Sequence, residues 1–250
     1  MSAGADEAKL HAISSMATRL VLAELASAGA VDAGLHELQI ESVGGVDAEQ
    51  RIASGEAFEL VFLAQGALRR LADGGHVLAD TVTPLMLSQT AAAVRADPAD
   101  AAAPAARPES FAFADAEGMR AALQGAERIG YSTGPSGTAL VAMIERWGLS
   151  AELGERLVQA RPGVPVARSL AEGEVDLGFQ QLSELVGQPG IRILGVLPPD
   201  CAIDTVFSGA VVSTAPDPGA ARAVLEYFAS CEAAPILAAH AFAAAPSAAS

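Results

Sequence analysis

Apolar and polar residues alternate along this chain in two rhythms, and the rhythms exchange places from the start. Leu10 to Ile13 reads as a short strand that runs into Ser14-Ser15. Ala17, Val21 and Leu25 then recur every four residues, the period of an amphipathic helix. Leu38 to Val43 alternates as a half-buried strand and stops at Gly44-Gly45, after which Asp47 is the expected cap of a helix through Ile52. Leu60 to Leu63 is continuously apolar, the mark of a buried strand, and Ala64-Gln65-Gly66 leads into a helix carrying Arg69 and Arg70. This strand–helix alternation predicts a parallel sheet with helices on both faces.

The rhythm breaks at Thr83-Pro84. Leu85 to Arg95 predicts one long strand or a strand pair, and the Ala-, Pro- and Asp-rich run 96–110 predicts a loop or a poorly ordered segment. Asp115 is placed to cap a helix through Leu123. Arg128 to Tyr131 is the next strand, and Thr138 to Trp147 its helix. A Pro/Gly loop at 161–165 precedes a helix over 166–172, and Val175 to Phe179 is a strand ending in Gln180-Gln181. Ile191 to Val196 is apolar and is followed by the breaker Pro198-Pro199. Thr205 to Val212 returns as a strand, and Pro218 to Phe228 is a final long helix.

The strand ends share a composition. Ser14-Ser15, Gly44-Gly45, Ala64-Gln65, Ser132-Thr133 and Gln180-Gln181 are all small or polar. In open α/β sheets ligands lie just outside the carboxyl ends of strands, so these ends together predict a polar cleft lined by hydroxyls and amides. The densest is Ser132 to Thr138, where two serines, two threonines, two glycines and a proline precede a helix. The first turn of a helix has free N–H groups and the positive end of the dipole, glycine admits close approach, and hydroxyls add donors; that combination suits an anion. The same run also reads as an ordinary strand-to-helix turn with Ser136 or Thr138 as N-cap. It is neither a P-loop nor a nucleophile elbow, because no Gly-Lys-Ser/Thr and no Gly-x-Ser-x-Gly is present there.

Charge and cysteines narrow the field. With a net charge of -15, the surface repels nucleic acid and acidic membranes, so neither is an expected partner. Aromatics make up only 4% against 51% hydrophobic residues, which suits closely packed alanine-rich helices. Cys201 and Cys231 form no disulfide framework, and no metal spacing or cofactor fingerprint occurs. No apolar run is long enough to span a bilayer. The first charges are Asp6 and Glu7, and no basic-then-apolar leader follows them, so the chain as written is expected in the cytoplasm, or in the periplasm if a signal was removed.

The stretches ISSMA, ELVFLAQGALRRLADGGHVL, RIGYSTGPSGTALVAMIERWG, GEVDLGFQQLSEL, DTVFSGAVV and YFASCEAAPILAAHAF carry a resemblance to the periplasmic molybdate-binding family, within the type II periplasmic-binding-protein superfamily, over about Leu10 to Phe242. The resemblance implies a two-lobed α/β fold, each lobe a mixed, mostly parallel sheet flanked by helices, with the ligand in the cleft between lobes. It implies residues 8–83 with 205–250 in the first lobe and 84–204 in the second. Carried onto this chain, an oxyanion site would use Ser15 of the first lobe, Ser136 and Gly137 at a helix N-terminus of the second, and the backbone amide of Val164. The chain departs where that family carries a serine cluster, having Gly44-Gly45-Val46, and where it often carries tyrosine, having Gln181. Losing a hydroxyl at both positions changes the donor geometry and favours a small organic acid or another oxyanion over molybdate. Ser14, Arg19, Gln65, Ser132, Thr138 and Gln180 complete the expected lining, Arg19 lying one turn after Ser15. An arginine fork suits a carboxylate, although Arg19, Arg69 and Arg70 equally read as solvated helix faces.

A second resemblance is to aconitate isomerases of the same superfamily. It implies an enzyme that moves a carbon-bound proton with a general base, for which His11, His36, Glu41 and Glu184 are the candidates, none with a spacing that certifies it. The leading expectation is a binder of a small anion, passing it to a transporter permease only if exported. The alternative is a cytoplasmic isomerase of an unsaturated di- or tricarboxylic acid, with its catalytic residues unassigned.

Overall fold

A computed structural model describes residues 9–161 and 163–246. The chain runs β1 (Leu10–Ser15), α1 (Arg19–Asp32), β2 (Leu38–Val43), α2 (Gly45–Ala53), β3 (Leu60–Ala64), α3 (Gln65–Asp73) and the thirteen-residue β4 (Thr83–Arg95). It continues with α4 (Ala116–Gly125), β5 (Ile129–Tyr131), α5 (Pro135–Arg146), α6 (Ser150–Leu153), β6 (Leu157–Gln159), α7 (Val166–Ala171), β7 (Leu177–Gln181), α8 (Leu182–Leu185) and β8 (Ile191–Val196). It closes with β9 (Asp204–Val211), α9 (Pro218–Phe228), α10 (Ala234–Ala239) and β10 (Ala243–Ala244). Two compact units result. One is the chain up to Leu87 together with the chain from Val206; the other is Ser88–Thr205.

The first unit is a sheet in the order β2-β1-β3-β9. β2, β1 and β3 are parallel, and β9 runs antiparallel to β3 with Leu63 opposite Ser208. Strand alternation sends successive residues to opposite faces. Leu60 and Phe62 therefore enter one core with Val21, Leu22 and Leu25 of α1 and Val224, Leu225 and Phe228 of α9. Val61 and Leu63 enter a second core with Ala48 and Ile52 of α2 and Leu68 and Leu71 of α3. A strand buried on both faces has to read as a continuous apolar run, which is what Leu60–Leu63 does.

In the second unit β4 lies between β7 and β8, antiparallel to both, while β7, β5 and β6 are mutually parallel. Ala92 and Phe179 face α4 and α5 and pack with Met119, Leu123, Leu140 and Ile144. The alanines of β4 let helices approach closely, and all three at 91–93 are fully buried.

Several local expectations change. The sheet is mixed, as the resemblance implies and unlike the parallel sheet that strand–helix alternation alone predicts, because β4 and β9 each run against a neighbour. Gly44 rather than Asp47 is the residue before α2, with Asp47 in its first turn. α5 begins at Pro135, three residues earlier than its periodicity suggests, since proline is suited to a first helical position. Gly134 is therefore its N-cap, and neither Ser136 nor Thr138 is. α6, β6 and α10 carry too few periodic residues to be read from sequence, and α10 follows α9, which is thus not the last helix. Asp115 does cap α4, accepting from the Gly118 N–H at 2.8 Å. The loop 96–110 is pinned by Ala105 and Gln188, whose backbones bond at 2.9 Å.

Candidate functional site

Two groups of polar residues stand at the carboxyl ends of strands, one in each unit. In the first unit β1 ends at Ser14 and Ser15. Ser14 is fully buried and its hydroxyl is 2.8 Å from that of Ser42 on β2, so it is spent inside the protein. Ser15 lies on the opposite face, and its buried Oγ has no hydrogen-bond partner. A Cβ placed on Gly45 would be 3.7 Å from the Ser15 Cβ, so the start of α2 sits beside this hydroxyl. The Ala48 N–H makes the first bond of α2, to the Gly44 carbonyl at 2.9 Å, which leaves the N–H groups before it without helical acceptors. Gly44 and Gly45 are exposed, Gln65 is the first residue of α3, and Arg19 is the exposed first residue of α1. Among the described residues Arg19 and Arg69 have no ion pair, whereas Arg70 holds Glu49 through two N–H donors at 2.7 and 2.8 Å.

In the second unit β5 delivers the chain to Ser132, whose Oγ is 3.0 Å from that of Ser136 in the first turn of α5. Thr138 N–H bonds the Gly134 carbonyl at 3.2 Å, so the N–H groups of Ser136 and Gly137 have no helical acceptor. Gly137 has a structural reason to be glycine: a Cβ there would meet the Ser132 carbonyl oxygen at 1.8 Å. The contact of helix with strand alone requires glycine here. Thr138 is exposed, with its hydroxyl turned back to the Gly134 carbonyl at 3.4 Å.

Two expected ligand contacts, Val164 and Gln180, are already engaged, and a third, Gln181, is not. The Val164 N–H donates to the Arg161 carbonyl at 2.9 Å, because the Pro/Gly loop closes as a turn there. Val164 instead lines a cavity of about 300 Å³ among Arg128, Arg161 and Arg168 with Glu172 and Glu174. Gln180 points to the α7 side, and its Oε1 accepts from the Val166 N–H at 2.7 Å, capping that helix. Gln181 points to the other side and is 1% exposed, and its Oε1 has no partner.

Further polar atoms, unforeseen from sequence, are buried without partners: the hydroxyls of Ser88 and Thr90 on β4, Ser183 on α8 and Ser208 on β9. Ser88, Gln89 and Thr90 form a polar run within β4, with Ser88 and Thr90 at alternate positions on one face, and that was the available signal. An unmet buried polar group costs on the order of 1–3 kcal/mol, so such a set is unusual in a chain this well packed.

The four candidate bases separate clearly. His11 and His36 are exposed. Glu41 is exposed and held by both terminal nitrogens of Arg51 at 2.6 and 2.9 Å, which lowers its pKa and makes it a poor proton acceptor. Glu184 is different: burial raises its pKa, opposed only by a hydrogen bond from the Gln180 amide. Among the described residues no cluster of three metal-ligating side chains occurs, and no helix is long and apolar enough to cross a membrane.

The profile of the bacterial extracellular solute-binding proteins matches residues 10–243. The chain belongs to that family. It is also 36% identical over 187 residues to an aconitate isomerase from Pseudomonas sp, a match covering 74% of this chain and 66% of that protein, just under two thirds of its length. Among solved structures, the substrate-binding domain of a putative molybdenum ABC transporter from Clostridium difficile superposes with a TM-score of 0.71 at 17% identity, covering 95% of this chain and 99% of that one. The periplasmic molybdate-binding protein of Azotobacter vinelandii gives 0.71 at 19% identity, covering 95% and 100%. The sulfate-binding protein SubI of Mycobacterium tuberculosis H37Rv gives 0.69 at 17% identity, covering 94% and 86%. The fold of this solute-binding family member is thus the type II periplasmic-binding-protein fold.

Proposed function

We propose that this solute-binding protein binds a small organic acid anion through hydroxyl and backbone N–H donors at its strand ends, outside the cytoplasm, for delivery to a membrane permease. The observation that carries this reading is the buried, partnerless Ser15 hydroxyl beside the free N–H groups of α2. Neutral hydroxyl and N–H donors at a helix start can hold an anion even in a chain whose net charge is -15. The exposed Arg19, which has no ion pair among the described residues, follows Ser15 in the chain and supplies the cation a carboxylate prefers. Oxyanion binding by fold neighbours supports the anion, and the isomerase relative supports a carboxylic acid. A thermal-shift screen over molybdate, sulfate, and mono-, di- and tricarboxylates tests it. A ligand at a hundred times its dissociation constant stabilises by ~2.7 kcal/mol. Stabilisation by carboxylates that Ser15→Ala removes supports the reading, and no response to any anion refutes it.

A second reading, isomerisation of an unsaturated tricarboxylic acid, is favoured by the 36% identity to an aconitate isomerase. Such a reaction removes a proton from the carbon next to a double bond, shifts the double bond, and returns a proton at its far end. Glu184 is the one candidate base whose surroundings raise its proton affinity. Incubation with trans-aconitate in deuterated water would place deuterium on carbon, and Glu184→Gln would abolish this while leaving binding intact. A ligand recovered without deuterium leaves the binder alone.

A further inference from the structure

Thr90 and Gln181 face each other across antiparallel β4 and β7. The Thr90 backbone bonds Ile203 and Leu197 at 3.0 Å each, on the other side of the strand. Thr90 and Gln181 therefore form a non-hydrogen-bonded pair, the kind that brings side chains closest, at about 4.5 Å between Cα atoms. Ser88, two residues before Thr90, shares the same face. These three side chains are 0%, 1% and 1% exposed for Ser88, Thr90 and Gln181, and each carries a polar atom with no partner. Farther along that face, Ala92 and Phe179 pack beneath α5. The face thus leads from an apolar core to a polar end, on the side where α5 begins with its free Ser136 and Gly137 N–H groups.

We infer that the Ser88 and Thr90 hydroxyls, beside Gln181, form a polar subsite and donate to a second carboxylate, which makes the ligand a di- or tricarboxylic acid and not a single tetrahedral oxyanion. This rests on the anion-binding reading above. Strand order is β4-β7-β5, so Ser88 and Thr90 stand two strand spacings, about 9.5 Å, from the β5 end at Ser132, and Gln181 stands one spacing from it. A hydrogen bond of about 2.9 Å at each end leaves roughly 4 Å between the ligand oxygens that are held. That exceeds the edge of one sulfate or molybdate tetrahedron and falls within the reach of two carboxylates on one short carbon skeleton. The subsite is rigid, since Thr90 is tied through both backbone groups, so its hydroxyl is held ready without a partner of its own.

Calorimetry on the full chain tests this with citrate, trans-aconitate, succinate, acetate and sulfate as probes. Wild type should hold the polycarboxylates at least tenfold tighter than acetate or sulfate. Thr90→Val should weaken them about tenfold or more, the weight of one hydrogen bond to a charged group. Its affinity for sulfate should be unchanged and its ligand-free melting temperature no lower, because it removes an unmet polar group; Thr90→Ser should retain tight binding. Ser88→Ala gives the same readout if the valine variant fails to fold. Polycarboxylates bound as tightly by these variants as by wild type, or sulfate bound as tightly as any of them, overturn the subsite while anion binding stands. Binding of no probe at all overturns both.

Discussion

Gly137→Ala gives the sharpest structural test, because two effects of known size oppose each other there. A Cβ at Gly137 would lie 1.8 Å from the Ser132 carbonyl oxygen, 2.8 Å from its carbon and 3.1 Å from its nitrogen. Contacts under 3.0 Å are essentially never seen, so the strand end and helix start must separate by at least 3.0 − 1.8 = 1.2 Å. All three atoms are backbone, and no side-chain rotation relieves them. Overpacking of this kind costs about 1–3 kcal/mol, here at the upper end. Alanine returns about 1 kcal/mol of helix propensity. The net is a loss of about 2 kcal/mol, or ~4–8 °C in melting temperature for a chain of this size. The same shift would part the Ser132 and Ser136 hydroxyls, now 3.0 Å apart, and misplace the N–H groups behind them. Urea and thermal melts of Gly137→Ala beside Gly125→Ala check the reasoning, since nothing lies within 4 Å of a Cβ at Gly125, in the last turn of α4. The control should be neutral or gain up to about 1 kcal/mol. If Gly137→Ala is as stable as the control, the close approach of α5 to Ser132 is refuted.

Other outcomes follow from burial and charge. Glu184 has a folded pKa above its ordinary 4.5, so its contribution to stability falls as pH rises from 4.5 through the folded value. Glu184→Gln should therefore raise the urea midpoint at pH 8 and leave it nearly unchanged at pH 4; an equal effect at both would contradict the desolvated carboxyl. Burial pushes the Cys201 thiol up to about 11, whereas Cys231 is exposed. A native thiol titration at pH 8 should count one fast thiol and a denatured one two; two fast thiols in the native protein would show that Cys201 is open. Glu41→Ala breaks an exposed ion pair with Arg51 and should leave the urea midpoint nearly unchanged; a large drop would contradict the solvent-screened pair.

Sequence reading reached the strands well, because a strand covered on both faces has to be apolar throughout, as Leu60–Leu63 is. It reached helix interiors through their period and the starts of α4, α7 and α9, but missed those of α2 and α5. α5 begins at Pro135 because proline satisfies a first position that hydrophobic periodicity does not record. Strand ends were legible as polar interruptions, and Ser15 and Gln181 stand there, with Ser136 in the first turn of the helix after β5. Which donors are free was not legible. Val164 and Gln180 each have the right chemistry, yet a turn and a helix cap consume them, and only the folded backbone shows that. Gly137 carried a double meaning that sequence could not divide, since glycine permits the approach of a ligand and of a carbonyl alike. Ser88 and Thr90 escaped notice because a lone hydroxyl in a buried strand usually finds a local acceptor, and here neither does.

The central claim is that free N–H groups hold an organic anion, those at the start of α2 within the first unit and those at the start of α5 within the second. Titrating uniformly 15N-labelled protein with citrate or trans-aconitate, and following backbone amide resonances, tests it directly. The account predicts saturable shifts, largest at Val46 and Asp47 beside Ser15 and at Ser136 and Gly137, and reduced at the first pair by Ser15→Ala. Saturable shifts confined to the arginine-lined cavity around Arg128, Arg161 and Arg168, with those four amides unmoved, would contradict it.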